Sequence, residues 1–277
     1  MTRLPRLQTL SHKALLPPHV EIFIIPPFSY SSDALANEQR FNIASHTGDE
    51  PKVVEKSREL LKRGVSRKLT FLRQVHGTKI VRAGCNKRLS GYPTSGGSLY
   101  DELSSGIDVG NDVTGDGIIT DSSDYACFIQ TADCVPLLLY SSSPHEIAAI
   151  HIGWRGLLAG IISTALQHFD AEVNKLGAFI GPAIGEQHFE LDSETSQGFV
   201  KRAQEIGYQP VVKARQDRFF VDLKETVKRE LAQLGVRTIY KSRLCTYEDP
   251  RLPSYRRATH QSLVCRDRLI SLIRFKD

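Results

Sequence analysis

The stretch "QTADCVPLLLYSSSPHEIAAIHIGWRG", residues 130–156, contains two apolar runs separated by a polar segment with a proline. The runs "VPLLLY" and "EIAAIH" each have the composition of a β-strand, and "SSSPH" has that of a turn, so the stretch predicts a β-hairpin. If Tyr140 faces His145, the numbers of facing residues add up to 285, which also makes Cys134 face His151. Their Cβ atoms would then be about 5 Å apart, and a register shift of one residue would separate them.

A cysteine and a histidine at this distance could be two ligands of one metal ion or a thiol–imidazole pair. The alternative is a structural role, because cysteine is often buried as a small apolar residue. His76 in "RQVHG" is a candidate third ligand, since it ends a strand-like run beside Gly77, where the backbone can approach closely. Two nitrogens, one sulfur and an open fourth position are typical of a catalytic zinc centre, although copper(I) also accepts cysteine and histidine.

The composition indicates a soluble globular protein. The chain has 277 residues, 40% of them hydrophobic and 24% charged, which suits one large α/β domain without disulfide bonds. Its five cysteines include no CxxC pair, which favours a reducing, cytoplasmic location. The net charge of +5 is spread along the chain, so we expect no nucleic-acid partner. No apolar stretch approaches the ~18 residues of a membrane span.

Local patterns predict several helices and strands. Residues 20–28 have a strand pattern that ends at two prolines, and "GLLAGIISTALQHF", residues 156–169, reads as one amphipathic helix. Asp192 and Asp222 each precede a helical pattern that is followed by glycine, as a capping residue does. Since strands and helices alternate throughout, the sequence predicts an α/β fold.

We expect a single domain over residues 1–277, because the sequence has no internal repeat and no linker that would divide it. Residues 1–19 are interpreted as an irregular N-terminal surface extension. Residues 85–115 are rich in glycine and serine and too long for an ordinary connection, so this segment is interpreted as a mobile loop or a lid.

The sequence resembles the YfiH-like proteins, also called laccase-domain or polyphenol-oxidase-like proteins and, more recently, purine nucleoside phosphorylases. The matching motifs follow one another in family order from about residue 41 to residue 257. They are "FNIASHTGDEP", "RQVHG", "DGIIT", "TADCVPLLLY", "AAIHIGWRGLLAGI", "FIGPAIG", "DLKETVKREL", "CTYED" and "SYRR". The combination of "TADCVP", "HxGWRG" and an upstream "QVHG" is specific to this family.

The resemblance implies that His76, Cys134 and His151 are zinc ligands. It implies phosphorolysis of purine nucleosides such as adenosine, inosine, guanosine and methylthioadenosine, with adenosine deamination associated with the same site. The implied fold is an α/β sandwich with a mixed sheet, related to cysteine-hydrolase-like proteins. The expected partners are therefore a purine nucleoside and phosphate, and we expect a monomer or a small homo-oligomer.

The sequence departs from the family pattern in two segments. Residues 28–45 lack the usual "GGVS" segment, and residues 258–266 replace the usual "DGxTGRMA". The segment 85–115 also resembles an insertion. These differences leave the three candidate ligands intact and concern the substrate contacts.

Three residues are candidates for catalysis. Phosphorolysis develops positive charge on the ribose and negative charge on the purine, so phosphate has to be held by cations. Arg155 in "GWRG", before a predicted helix, could hold phosphate, and Arg256 in "SYRR" is a second candidate. Asp133, adjacent to Cys134, could orient the ligand or act as an acid or base.

Further residues are candidates for contacts with the substrate. Asn42 could bond a sugar hydroxyl or cap a turn, and Cys245 could contact the substrate or simply pack near the site. The set of predicted substrate-binding residues is Asn42, His46, Gln74 and Cys245.

Three other functions remain open from the sequence. The first is a copper polyphenol oxidase, a weak alternative because multicopper oxidation normally uses His-x-His pairs and the chain has none. The second is metal-free hydrolysis by a Cys134–His151 dyad. The third is a non-catalytic metal-binding module, which the changed segments 28–45 and 258–266 would favour.

Overall fold

The computed structural model describes residues 17–27, 41–45, 47–84 and 112–276. The strands are β1 Val20–Ile25, β2 Lys68–Leu69, β3 Leu72–Arg73, β4 Ile80–Arg82, β5 Val113–Thr114, β6 Gly117–Thr120, β7 Tyr125–Thr131, β8 Val135–Ser142, β9 His145–Ile152, β10 Leu176–Ile180, β11 Glu190–Leu191, β12 Val212–Arg215, β13 Arg218–Val221, β14 Thr238–Lys241 and β15 Leu269–Phe275. The α-helices are α1 Pro51–Val65, α2 Trp154–Leu158, α3 Ile161–Gln167, α4 Ser193–Ile206, α5 Leu223–Gln233 and α6 Tyr255–His260. Two short 3-10 helices cover Val173–Lys175 and Glu186–His188.

The hairpin prediction is right in its two strands and wrong in its register. β8 and β9 pair antiparallel with Pro136 opposite His151, so facing residue numbers add up to 287 instead of 285. The strands extend further than predicted and leave Ser143–Pro144 as the turn. Because side chains alternate with a period of two, this two-residue shift keeps each residue on its predicted face. Cys134, one residue before β8, therefore lies diagonally across from His151.

Two sheets form the centre of the molecule. The larger has six strands in the order β14-β10-β8-β9-β6-β4, and the smaller has four in the order β1-β15-β7-β2. In the larger sheet β10 pairs parallel with β14 and β4 parallel with β6, while the pairs in its middle are antiparallel. The prediction of an α/β fold with a mixed sheet is confirmed.

The central hairpin packs on both faces because nearly all its residues are apolar. Leu137 and Leu139 face a core shared with the helices α3, α4 and α5. Leu138 faces the opposite way and packs with Ile129 and Ile273 of the four-stranded sheet. A third core lies between that sheet and α1. Each fully buried leucine stabilises the fold by roughly 1.5–3 kcal/mol, so this hairpin anchors the site residues at its ends firmly.

The predicted helix over residues 156–169 is divided in two. Gly160, between α2 and α3, has φ +90°, a left-handed conformation that ends the first helix and is costly for other residues. The first helix also begins earlier than predicted, at Trp154. Arg155 therefore lies within the first turn of α2 and not before it.

The helices predicted after Asp192 and Asp222 are confirmed, together with their caps. The Asp192 carboxylate accepts a hydrogen bond from the backbone N–H of Thr195 at 2.7 Å. The Asp222 carboxylate accepts one from the N–H of Glu225 at 2.8 Å. Each bond satisfies a backbone donor that the helix itself leaves free.

Parts of the predicted extension and loop lie outside the described residues, namely residues 1–16 and 85–111. At the edge of the extension, the His19 ring nitrogen Nε2 lies 3.0 Å from the carbonyl oxygen of Ser141. At the end of the predicted loop, Val113–Thr114 form a strand that pairs with β3. Among the described helices, none combines the length and the hydropathy that a bilayer crossing requires.

Candidate metal centre

The three predicted ligands come together at one end of the central hairpin. One ligand atom from each of His76, Cys134 and His151 lies within 4.8 Å of the other two. The Cys134 Sγ is 3.7 Å from His76 Nε2, and the two imidazole ring centroids are 4.7 Å apart with the rings nearly perpendicular. Separate segments supply the side chains: the loop after β3, the residue before β8, and β9.

The donor set and its spacing fit a zinc ion. Zinc bonds of about 2.05 Å to nitrogen and 2.3 Å to sulfur, in a tetrahedron, place the sulfur and a nitrogen about 3.6 Å apart. The observed 3.7 Å between Cys134 Sγ and His76 Nε2 agrees with this value. His151 is buried, Cys134 is half-buried and His76 is exposed, so the group opens to solvent on one side. Copper(I) would fit the same donors.

A buried carboxylate that the sequence did not single out holds two of the ligands. Asp116 is 0% exposed, and its Oδ1 lies 2.8 Å from His151 Nδ1. Its two oxygens also accept hydrogen bonds from the backbone N–H groups of Val75, His76 and Gly77, at 3.2, 2.8 and 2.7 Å. Because Nδ1 of His151 is bonded to Asp116, its Nε2 remains for a metal ion, as in carboxylate–histidine–zinc arrangements.

The electrostatics of this group favour a charged sulfur. Burial opposes ionisation of Cys134, but the neighbouring His151 and the hydrogen bonds from both imidazoles lower the pKa of the thiol. Burial likewise opposes protonation of His151, but Cys134 and Asp116 together raise the pKa of its imidazole. A thiolate at Cys134 and an imidazolium at His151 would therefore stabilise each other, which favours the form of the sulfur that binds metal ions.

Two glycines of the "GWRG" region let the His76 loop approach α2. A Cβ atom at Gly153 would overlap the imidazole ring of His76. A Cβ atom at Gly156 would lie 2.7 Å from the carbonyl oxygen of Gly77, a distance that real side chains do not adopt. The loop is also strained, since His76 has φ +61°. Glycine at these two positions is therefore a requirement of the site.

Asp133 organises the turn that precedes Cys134. It has φ +85°, and its carboxylate accepts hydrogen bonds from the Thr246 hydroxyl at 2.6 Å and from the backbone N–H of Arg256 at 2.7 Å. Its backbone carbonyl accepts the N–H of Ile184 at 3.0 Å. These three bonds connect the cysteine turn to later parts of the chain at Ile184, Thr246 and Arg256.

The two candidate arginines have different surroundings. Arg155 is exposed, and its guanidinium lies 4.3 Å from the ring centroid of Trp154. Within the described ranges the guanidinium makes no hydrogen bond or ion pair, so its N–H donors are available to an anion. The guanidinium of Arg256 instead donates to the backbone carbonyls of His188 and Glu190, at 3.3 and 3.1 Å. Arg256 thus uses two of its N–H donors to stabilise the backbone between His188 and Glu190.

Of the two roles considered for Asn42, a sugar contact or a turn cap, the contacts of its side chain match the turn cap. Its side chain is buried, with the residue 1% exposed. The amide nitrogen donates to the Thr47 hydroxyl at 2.7 Å and to Asp49 at 3.0 Å, and the amide oxygen accepts the N–H of Ala44 at 2.9 Å. The hydrogen bonds of this amide stabilise the turn, and the side chain does not face solvent.

Of the other three predicted substrate contacts, Gln74 and Cys245 bond to the backbone and His46 is not described. The Gln74 amide exchanges two hydrogen bonds with the backbone of Gln130, at 2.7 and 2.9 Å, and so extends the pairing of β7. Cys245 is buried, and its sulfur accepts the N–H of Gly185 at 3.1 Å. His46 lies outside the described residues.

The mixed α/β fold carries a candidate His/Cys/His metal centre that opens to solvent on one side, and the description of the matching family names copper. The chain belongs to the family described as multi-copper polyphenol oxidoreductase laccase, which matches residues 30–276.

Two relatives of the chain have a more specific name than the family description. The purine nucleoside phosphorylase of Haemophilus influenzae is 30% identical in an alignment of 229 residues that covers 81% of this chain and 84% of that protein. The purine nucleoside phosphorylase YfiH of Escherichia coli strain K12 is 29% identical in an alignment of 219 residues that covers 78% of this chain and 80% of that one. The resemblance to the YfiH-like proteins is confirmed.

Solved structures have the same fold. A protein of Neisseria meningitidis superimposes with a TM-score of 0.75 at 24% identity, over 94% of this chain and 96% of that one. The protein YlmD of Geobacillus stearothermophilus superimposes with a TM-score of 0.74 at 22% identity, over 94% and 93% of the two chains.

Proposed function

We propose that this protein is a zinc-dependent purine nucleoside phosphorylase that accepts nucleosides such as adenosine, inosine, guanosine and methylthioadenosine. The observation that carries the proposal is the meeting of His76, Cys134 and His151 in a group that is open to solvent on one side. The names of the two relatives support the reaction class, because each is called a purine nucleoside phosphorylase and aligns with most of this chain.

In the proposed reaction, the bond between the ribose C1′ and the purine nitrogen breaks, and a bond forms between C1′ and a phosphate oxygen. The purine leaves with the bonding electrons and takes up a proton, so the products are the free base and ribose 1-phosphate. His76, Cys134 and His151 would hold the zinc ion, which would supply Lewis acidity to the reaction. The rest of the catalysis is positioning and charge stabilisation by the protein.

Each protein group has a role that follows from its contacts. Arg155 follows Trp154 and is two residues from Gly153, which packs against the His76 ring. Its guanidinium has no hydrogen-bond partner among the described residues, so it can hold phosphate beside the centre. Asp116 fixes the orientation of His151 through its Nδ1. Asp133 fixes the turn that presents Cys134, which supports an orienting role over acid–base chemistry.

Incubation of the purified protein with each nucleoside and phosphate, followed by chromatography, tests the proposal. We expect free base and ribose 1-phosphate in equal amounts, a rate that depends on phosphate, and loss of the rate after chelation with recovery on adding zinc. Adenosine converted to inosine in the same runs would reveal the deamination that the resemblance implies. If the zinc-loaded, folded protein releases no base from any purine nucleoside, the proposal is wrong.

A copper oxidase is the second candidate, because the family description names multicopper oxidation. Oxidation of a phenol by copper-loaded protein, without phosphorolysis by zinc-loaded protein, would favour it. Hydrolysis of a substrate that continues after the metal is chelated, and that is lost when Cys134 is replaced, would favour metal-free hydrolysis by the Cys134–His151 dyad. Stoichiometric metal without turnover of any substrate would favour the non-catalytic module.

Replacing Arg155 by alanine is expected to raise the KM for phosphate at least about tenfold, since a hydrogen bond to a charged group contributes ~1.5–3 kcal/mol. The matched control is Arg215→Ala, because Arg215 is also exposed and also lies over an aromatic ring, 5.0 Å from the centroid of Phe220. Steady-state kinetics at varied phosphate measure both variants. An unchanged KM in Arg155→Ala would remove this arginine from the phosphate site.

A further inference from the structure

A second group of metal-binding side chains lies outside the centre described above. It consists of His188, Cys245 and Glu248, whose ligand atoms lie within 4.8 Å of one another. The His188 Nε2 is 2.9 Å from a Glu248 carboxylate oxygen. We propose that this group binds a second divalent cation of the zinc type, at a site that shares no ligand with the first.

The sulfur is held in a position suited to a metal ligand. Cys245 forms a backbone bridge with Ala183, and its sulfur accepts the N–H of Gly185 at 3.1 Å. A hydrogen bond from a backbone N–H stabilises negative charge on sulfur, as it does in metal–thiolate centres. A Cβ atom at residue 185 would lie only 3.1 Å from this sulfur, so glycine allows the backbone to approach it closely.

The imidazole is also oriented in advance. His188 ends the short 3-10 helix Glu186–His188. Its ring stacks on Tyr247, with centroids 4.1 Å apart and planes 15° from parallel. The Tyr247 hydroxyl in turn lies 3.0 Å from the His260 Nδ1. Such outer contacts fix the direction of a ligating ring and reduce the ordering that metal binding requires.

The donor types select the class of cation. A thiolate, an imidazole and a carboxylate are all zinc ligands, and three protein ligands leave a further position for water. The sulfur disfavours magnesium and calcium, which prefer oxygen ligands. The Glu248 side chain is 61% exposed and the His188 side chain 27% exposed, so an ion can reach the group from solvent while Cys245 closes its inner side.

The two centres are joined by one hydrogen bond between neighbours of their ligands. Thr246, next to Cys245, donates to Asp133, next to Cys134, at 2.6 Å. This contact fixes the relative placement of the two cysteine segments. The second site itself goes beyond the proposed function, and it stands whether or not the protein cleaves nucleosides.

The test counts metal ions in protein that has been stripped with a chelator and then equilibrated with zinc alone. We expect two zinc ions per wild-type chain by elemental analysis and one in the double variant His76→Ala/Cys134→Ser, which lacks the first centre. With cobalt(II) in place of zinc, that double variant should retain a thiolate-to-cobalt charge-transfer band. Adding Cys245→Ser should remove both the band and the remaining ion.

Two further variants control for misfolding and for cobalt or zinc that binds at another cysteine. Glu248→Gln changes an exposed side chain in otherwise intact protein, and it should weaken the second zinc at least about tenfold while leaving the first. Cys265→Ser is the cysteine control and should change neither the band nor the count. A folded double variant that binds no zinc, or a cobalt band that survives Cys245→Ser, would overturn the proposal.

Discussion

Replacing His76 by alanine is expected to lower the rate of phosphorolysis by about 10³-fold or more, because the loss of a Lewis acid removes several kcal/mol of transition-state stabilisation. The same variant should lose the zinc of the first centre. His76 is exposed, and its ring contacts the other two ligands. The free energy of unfolding of the metal-free protein should therefore change by less than about 1 kcal/mol. Steady-state kinetics, elemental analysis and denaturant unfolding measure the three quantities.

The matched control for His76→Ala is His145→Ala. His145 is exposed and begins the strand β9, which carries His151 near its other end. Its removal should leave zinc content and turnover unchanged. Turnover that persists in His76→Ala after the zinc is lost would show that the metal is not part of the reaction, and it would direct attention to the Cys134 thiol.

Replacing Asp116 by alanine is expected to have the largest effect on stability of any single change at the site. The substitution leaves three backbone N–H groups and the His151 ring without their buried acceptor. Removing one partner of a buried charged interaction costs about 3–5 kcal/mol. Zinc affinity should also fall by roughly 10–100-fold, as it does when the carboxylate behind a ligating histidine is lost.

Denaturant unfolding of the zinc-free protein and zinc titration separate these two effects of Asp116. The control is Asp124→Ala, which removes an exposed carboxylate 3.9 Å from Lys68, and it should cost less than about 0.5 kcal/mol. Asp116→Asn keeps the shape of the side chain but places an amide N–H₂ group where a carboxylate oxygen accepts hydrogen bonds. Its loss in free energy of unfolding should therefore lie between those of Asp124→Ala and Asp116→Ala. An Asp116→Ala protein as stable as wild type would refute this account.

The central hairpin could be predicted from the sequence because its pattern is strong, whereas its register could not. The segment "SSSPH", residues 141–145, has the composition of a turn, but the composition does not say how many of these residues lie outside the paired strands. Only Ser143–Pro144 do so. Cys134 and His151 still meet, because a register shift of two residues preserves the face of each side chain. A shift of one would have put the thiol and the imidazole on opposite faces.

Asp116 shows what a single sequence cannot reveal. It begins the motif "DGIIT", but one aspartate before a strand has no spacing that would indicate a role. Its function depends on contacts with a loop 39 to 41 positions earlier and with a histidine 35 positions later. The break at Gly160 was hidden for a related reason, since the apolar pattern of a helix continues across it.

Polar residues near a motif are also hard to interpret from the sequence. The sequence leaves Asn42 open between a sugar contact and a turn cap, and it offers Gln74 as a substrate contact. In the structure both amides bond to their own surroundings. An amide that stabilises a turn and an amide that binds a sugar have the same letter in the sequence. Only the number of hydrogen bonds left unused distinguishes them.

The ligands of the first centre are spread over the chain, with His76 and His151 separated by 75 positions. An unfolded chain cannot hold them together, so the proposed zinc ion would bind tightly only to the native state. By mass action, zinc at 100 times its dissociation constant would add about 2.7 kcal/mol to the free energy of unfolding. Zinc supply would thereby set how much of this protein resists heat and proteolysis, apart from any effect on turnover.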